Sequence, residues 1–328
     1  MNRLPVPVRL GVLGCADIAW RKLLPAAAAE PGLRTVAVAG RDPARTERFA
    51  ARFGCAAVNR YEALLERSDV DAVYVPLPIG LRHRWAGAAL AAGKHVLAEK
   101  PLVGTEKQTA DLVAQAAERG LTLMENAAFL LHGQHAAVRR AYAAGEIGEL
   151  RAFSSVFGIP PLRDSDIRYR PDLGGGALLD VGFYPLRAAR HFVGPDLRVV
   201  GADLRTGPSG VDVAGTALLS GPDQVSVQVG FGFQHFYRSG YELWGGTGEL
   251  RLERAFTPPP EYRPVLRLRQ QDRCESRTLA AEDQFAALVR TFVAAVRGEH
   301  DLSGWHAEML GHARLVDAIR RAAGLGEP

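Results

Sequence analysis

Cysteine is scarce in this chain of 328 residues: Cys15, Cys55 and Cys274 are its only thiols. Their odd number and wide spacing exclude a disulfide framework and any CxxC or zinc pattern, so a reducing cytoplasm is the expected setting. Lysine is nearly as scarce, with Lys22, Lys94, Lys100 and Lys107 the only four among 40 basic residues. The arginine bias reflects coding composition more than function. No apolar run approaches the roughly 18–20 residues of a membrane span. The opening Met1–Pro7 holds two prolines and no apolar signal-peptide core, so no signal peptide is expected. No block of five like charges occurs, nor any interleaving of basic and aromatic residues, which argues against a nucleic-acid partner. A net charge of +4 fits a small anionic partner better, a dinucleotide or a nucleotide-linked substrate. With 47% hydrophobic and 23% charged residues the chain has ample core and is not disordered.

What is present divides in two. From Val8 to about Met124 short apolar runs alternate with Ala-rich helical stretches. Strands are expected at Arg9–Leu13, Arg34–Ala39, Asp71–Val75, His95–Ala98 and Leu121–Met124. Helices are expected at Ile18–Ala29, from Pro43 with Asp42 as its N-cap, at Arg84–Ala92 and at Glu106–Arg119. Such alternation predicts an α/β doubly wound parallel sheet, a Rossmann domain over 1–124. Beyond Glu125 the pattern changes. Helices at Gly133–Ala144 and Gly175–Phe192 precede strand-like runs at Arg198–Leu204, Val211–Leu219, Val225–Phe233, Tyr237–Trp244 and Val265–Arg269. Two helices, Gln284–Val296 and Gly304–Ala323, finish the chain. This predicts an α+β second domain over 125–328 with a mostly antiparallel open sheet.

The first strand-turn-helix carries the nucleotide signal. Read against G-x-G-x-x-G, it supplies Gly14, Ala16 and Ala19, so only the first glycine survives. Alanine still permits close approach of a pyrophosphate to a helix N-terminus, whose N–H groups favour an anion. An acid at the tip of the second strand would hold a ribose 2′-hydroxyl. Here Gly40 stands there and Arg41 follows, a guanidinium suited to a 2′-phosphate, while Asp42 is better explained as the cap. NADPH is therefore expected over NADH. Lys100 follows Glu99 at the carboxyl end of a parallel strand, where such sheets place ligands, and Pro101 makes the corner rigid. Downstream, Gly174-Gly-Gly-Ala-Leu-Leu-Asp180-Val-Gly-Phe-Tyr184-Pro puts Asp180 and Tyr184 four apart, on one helical face. A phenol can donate a proton to an alkoxide forming from a ketone. His132 and His135 have no carboxylate ligand nearby, and no metal site is read.

The run Gly-Lys-His-Val-Leu-Ala-Glu99-Lys100-Pro101 resembles the signature of the Gfo/Idh/MocA oxidoreductases. Gly14-Cys15-Ala16-Asp17-Ile18-Ala, Pro76-Leu77-Pro78, Ile147-Gly-Glu149 and the Gly174–Pro185 stretch extend the resemblance over essentially the whole chain. It implies a Rossmann domain followed by an open antiparallel sheet. It also implies a cofactor site of Gly14, Cys15, Ala16, Asp17, Ile18, Gly40, Arg41, Leu77, Pro78, Glu99, Lys100 and Arg168. The implied catalytic pair is Lys100 and Tyr184, and Lys100, Arg168, Asp180 and Tyr184 are implied to meet substrate; Tyr241 and the loop Phe256–Tyr262, with Thr257, are expected to form an aromatic shelf for a base or sugar, sheet packing being the alternative for Tyr241. Arg168 is carried over from Asp166-Ile-Arg168-Tyr. Where the family often has a histidine four residues after Pro78 this chain has Arg82, with His83 one place later.

Within the family, Tyr184 in Asp-x-x-x-Tyr-Pro, Trp20-Arg21, Val73–Pro78 and Phe256-Thr257-Pro-Pro resemble the nucleotide-sugar C-3 ketoreductases. That resemblance implies NADPH-dependent reduction of the C-3 keto group of a dTDP-linked 3,4-diketo-2,6-dideoxyhexose in deoxysugar (antibiotic sugar) biosynthesis. Alternatives are a dihydrodiol or aldose dehydrogenase of the same family, or a non-catalytic NADP-binding sensor. A homo-oligomer joined through the outer face of the second sheet is expected, with no nucleic-acid or membrane partner.

Overall fold

The computed structural model describes residues 6–325. Contacts divide them into two compact units. One takes the chain up to Val103, Lys107–Ala128 and Phe285–Met309; the other takes Gly104–Glu106, Phe129–Gln284 and the chain from Leu310.

The first unit is built on β1 (Val8–Leu13), β2 (Leu33–Ala39), β3 (Ala56–Val58), β4 (Ala72–Val75), β5 (His95–Ala98) and β6 (Leu123–Glu125), in the order β3-β2-β1-β4-β5-β6. Every pairing is parallel. The central strands β1, β4 and β5, with β6, are buried along nearly their whole length, as a sheet covered on both faces requires, and β4 is buried at all four positions. The order reverses between β1 and β4, and their carboxyl ends open the crevice where such sheets bind ligands. Asp42 caps the helix Pro43–Phe53 as expected, its carboxylate accepting the Arg45 N–H at 3.2 Å.

The helix expected over 18–29 is not a uniform α-helix. A π-helical turn, Ala19–Leu23, precedes the α-helix Leu24–Ala28, and the Leu24 N–H donates five residues back to Ala19. Pro25 accounts for this, because its ring would crowd the carbonyl of Arg21 in a continuous α-helix. The helix after β4 starts at Ile79, five residues earlier than expected, directly after Pro78.

The second unit contains β7 (Leu150–Gly158), β8 (Arg198–Thr206), β9 (Asp212–Ser220), β10 (Ser226–Gly232), β11 (Arg238–Gly245), β12 (Gly248–Glu253), β13 (Val265–Gln270) and β14 (Arg273–Thr278), ordered β14-β13-β12-β11-β7-β10-β9-β8. All pairs are antiparallel except β7 with β10. Burial alternates along β10 to β13, giving one apolar face and one polar face. The helix Phe183–Val193 packs on β7. The single helix expected over 175–192 is divided into Ala177–Asp180 and Phe183–Val193. Pro185 lacks the N–H that would continue the ladder to Val181.

Candidate active site

The turn after β1 is shaped by Gly14, whose φ of +110° is left-handed and favours glycine. A Cβ there would lie 2.8 Å from Leu77 Cδ2, so the turn is also closed against the loop after β4. The Ala16 carbonyl accepts the Trp20 N–H at 3.1 Å, so the amides of Asp17 and Ile18 precede the first intrahelical bond. Cys15 is half-buried, with Sγ 3.7 Å from Thr46 Oγ1, and burial pushes its thiol up, which suits packing and not nucleophilic attack. A Cβ on Gly40 would collide with Thr46 Oγ1 and Cys15 Sγ. Gly40 therefore has a packing reason to be small beyond the one its neighbour Arg41 suggests. Exposed Arg41 interacts with the hydroxyl of Tyr61, which lies 3.7 Å from where a Gly14 Cβ would stand. Burial raises the Tyr61 phenol and Arg41 opposes the rise. The structure thus brings Gly14, Cys15, Gly40, Arg41 and Leu77 to one locality and adds Tyr61 and Thr46, which motif reading passed over. Asp17 is exposed and pairs with Arg45 at 3.6 Å and Arg21 at 3.8 Å.

These features fit a 2′-phosphorylated dinucleotide. The turn carries no side chain at Gly14, the helix opening supplies amides, and an exposed guanidinium partnered by Tyr61 follows β2 where NAD-selective sites hold an acid.

At the end of β5, Lys100 is half-buried and followed by a cis bond to Pro101. Glu99 is buried, and its carboxylate accepts from Tyr74 Oη at 2.6 Å and Asn126 Nδ2 at 2.5 Å. It braces the unit instead of offering its carboxylate to a ligand. His83 turns to Asp111, with Nε2 2.7 Å from Oδ2. Arg82 is 7% exposed and donates to backbone carbonyls of Leu77, Glu99 and Pro101. Pro78 is the N-cap residue of the helix that carries Arg82.

In the second unit Arg168 and Asp180 form a charge pair: Nε to Oδ2 is 2.5 Å, while Asp166 accepts from Arg168 Nη1 at 3.2 Å. The two carboxylates hold the guanidinium pKa above its ordinary value, Asp180 contributing most. The glycines before Asp180 approach protein groups, not open space. A Cβ on Gly175 would strike the Arg168 carbonyl, and one on Gly176, at φ +127°, would strike the Asp212 carboxylate. Asp212 accepts the Leu178 N–H at 2.6 Å and so ties this corner to β9. Asp180 ends its helix and Tyr184 lies in the next, so the expectation of one continuous helical face is replaced by two adjoining segments. The Tyr184 ring packs against Phe129, Phe157, Phe183 and Phe256 at centroid distances of 5.0–5.6 Å.

Tyr241 is not part of an aromatic shelf for substrate. It is 3% exposed, stacks on His135 and Phe153, and its hydroxyl lies 2.8 Å from His135 Nδ1. The sheet's period places position 241 on the apolar face. Thr257 is exposed and pairs with Tyr237, their oxygens 3.3 Å apart. Among the described residues no cluster of three or more His, Cys, Asp or Glu is placed to hold a metal ion. No helix among them is long and apolar enough to cross a membrane.

A parallel sheet with a phosphate-type turn, joined in one chain to an open antiparallel sheet, defines a pyridine-nucleotide oxidoreductase architecture. Residues 8–127 match the oxidoreductase family with NAD-binding Rossmann fold and 135–251 match the GFO/IDH/MocA C-terminal domain, and the chain belongs to this family. It is 52% identical over 327 residues to the dTDP-3,4-didehydro-2,6-dideoxy-alpha-D-glucose 3-reductase of Saccharopolyspora spinosa, spanning 98% of each chain. A protein of the same name from Streptomyces antibioticus is 51% identical over 323 residues, again 98% of each. The crystal structure of a 3-ketoreductase from Actinomadura kijaniata in complex with NADP and TDP-benzene superposes with a TM-score of 0.95 at 51% identity, covering 96% of this chain and 98% of that one.

Proposed function

We propose that the chain is an NADPH-dependent sugar 3-ketoreductase, reducing the C-3 keto group of a dTDP-linked 3,4-diketo-2,6-dideoxyhexose in deoxysugar biosynthesis. The observation that carries the reading is 52% identity along 98% of both chains to a reductase named for that reaction. Lys100, Tyr184 and the Arg168–Asp180 pair support it.

The turn Gly14, Cys15, Ala16, Asp17 and Ile18 receives the diphosphate, and Gly40 with Arg41 receives the 2′-phosphate, with Tyr61 steadying the guanidinium. Leu77 and Pro78 close the crevice at the end of β4, and Glu99 serves through its position and not its carboxylate. When bound, NADPH supplies the hydride that C-3 accepts. The C-3 oxygen then needs a proton. Tyr184 or Lys100 delivers it, and the other holds the oxygen while charge develops there. Arg168, restrained by Asp180 and Asp166, orients substrate and cofactor, and Asp180 accepts from a neighbouring sugar hydroxyl. Thr257 takes part in binding substrate.

The same reading places the protein in the cytoplasm, consistent with its three free cysteines, as a homo-oligomer joined through the outer face of the second sheet. That face exposes Trp244 at 61% and Leu218 at 41%. A hollow is lined by Gly158, Ala214, Thr216, Gly230 and Phe236. Sedimentation at micromolar concentration reads this directly, and a monomer contradicts it.

Calorimetry of dTDP against the NADP-loaded protein tests the substrate class. Binding at micromolar to submillimolar dTDP is expected, because remote binding energy orients the ketone. No heat at millimolar dTDP would refute a nucleotide-linked substrate.

A further inference from the structure

Arg82 is the fourth residue of the helix Ile79–Ala91 and is buried. A cation in the first turn opposes the helix dipole, and a buried charge must be hydrogen-bonded to persist. Its partners show what holds it there. Nε donates to the Leu77 carbonyl at 2.6 Å, and Nη1 donates to the Glu99 carbonyl at 2.9 Å and to the Pro101 carbonyl. The latter two carbonyls bracket Lys100. One guanidinium therefore ties the loop after β4 to the backbone on both sides of the candidate catalytic lysine. The corner is fixed elsewhere too: Glu99 is held by Tyr74 and Asn126, and the Leu102 N–H donates to Glu125 Oε1 at 2.7 Å.

We propose that Arg82 is a positioning residue that sets where the Lys100 ammonium stands, by clamping the carbonyls of the residues before and after it. The proposal rests on the catalytic role given to Lys100. A lysine at 82 retains the charge but not the planar fork, which alone presents donors to Leu77 and to the Lys100 corner together.

The test is a double-mutant cycle in the full-length enzyme: Arg82→Lys and Arg82→Gln, each alone and with Lys100→Ala, measured for kcat and for both KM values. A group misplaced by about 1 Å costs up to about 10²-fold in rate, so Arg82→Lys is expected to lower kcat roughly 10–100-fold. The KM for NADPH should change by a smaller factor than kcat, because Arg82 bonds the Leu77 backbone and not the Gly14 turn itself, on which only the Leu77 side chain packs. On the Lys100→Ala background the same change should cost less than about threefold, since the two act through one group. If Arg82→Lys does not fold, Arg82→Gln is read the same way. Equal losses on both backgrounds would make Arg82 merely structural and overturn the proposal, as would unchanged kcat in both Arg82 variants. Lys100→Ala turning over at the wild-type rate would be a different failure, that of the lysine's catalytic role, and would remove the basis of the proposal.

Discussion

Gly176→Ala should destabilise the second unit and disable the site together. Gly176 precedes the helix Ala177–Asp180 at φ +127°, and a Cβ would meet the Asp212 carboxylate. Holding a residue with a Cβ in that region costs about 1–3 kcal/mol. Displacing the carboxylate from the Leu178 N–H, which it accepts at 2.6 Å, costs about 1.5–3 kcal/mol more. Partial relaxation brings the sum to about 3–4 kcal/mol, or roughly 6–16 °C in Tm at the usual entropy of unfolding. Because the Asp180 N–H donates to the Gly176 carbonyl at 3.2 Å, the shift is passed to Asp180 and loosens its bond to Arg168, so kcat/KM falls as well. Gly201→Ala is the control: nothing lies within 4 Å of its Cβ, so it should stay within about 0.5 kcal/mol. Thermal unfolding of both variants decides the matter. Equal Tm values for Gly176→Ala and Gly201→Ala would refute the reasoning.

Three further outcomes are expected. Arg41→Ala should weaken NADPH binding by about 1.5–3 kcal/mol, the worth of a charge-assisted hydrogen bond, and leave NADH binding nearly unchanged; fluorescence titration with both nucleotides reads the difference. Lys100→Ala and Tyr184→Phe should each lower kcat by roughly 10²–10⁴-fold with folding intact, and steady-state kinetics that leave one of them near wild type identify that residue as a spectator. Burial holds the His135 imidazole well below its ordinary value of 6.5, so the unfolded chain takes up a proton near pH 6.5 that the native state refuses. This contribution to stability is present above that pH and is lost as the pH falls below it; urea midpoints from pH 7.5 to 5 should decline less steeply for His135→Phe than for the unmodified protein.

The parallel sheet was legible because buried strands and their helices leave repeated apolar runs, and because Asp42-Pro43 and the Gly14 turn have local causes. Other features were hidden for physical reasons. β3 is three residues of small side chains, and β14 is a polar edge strand with no apolar period. β7 places Ser155 on its buried face, which breaks the alternation. β12 did carry a signal, since Leu250 and Leu252 alternate with charged neighbours. Lys100, Tyr184 and Arg168 are proposed for the site from motifs alone. The roles of Tyr61 and Arg82 depend on contacts across loops, and the burial of Tyr241 depends on strand register. Two of the glycines before Asp180 are required by the Arg168 and Arg170 carbonyls and by Asp212, contacts that no local motif shows.

The most direct measurement is turnover of dTDP-3,4-diketo-2,6-dideoxyglucose with NADPH, followed by loss of the reduced cofactor and by NMR of the sugar product. Reduction at C-3 with one NADPH consumed per sugar, and no comparable rate with xylose or a dihydrodiol, is the expected result. Inertness toward the dTDP-linked ketosugar together with oxidation of a free sugar or diol by NADP would contradict it.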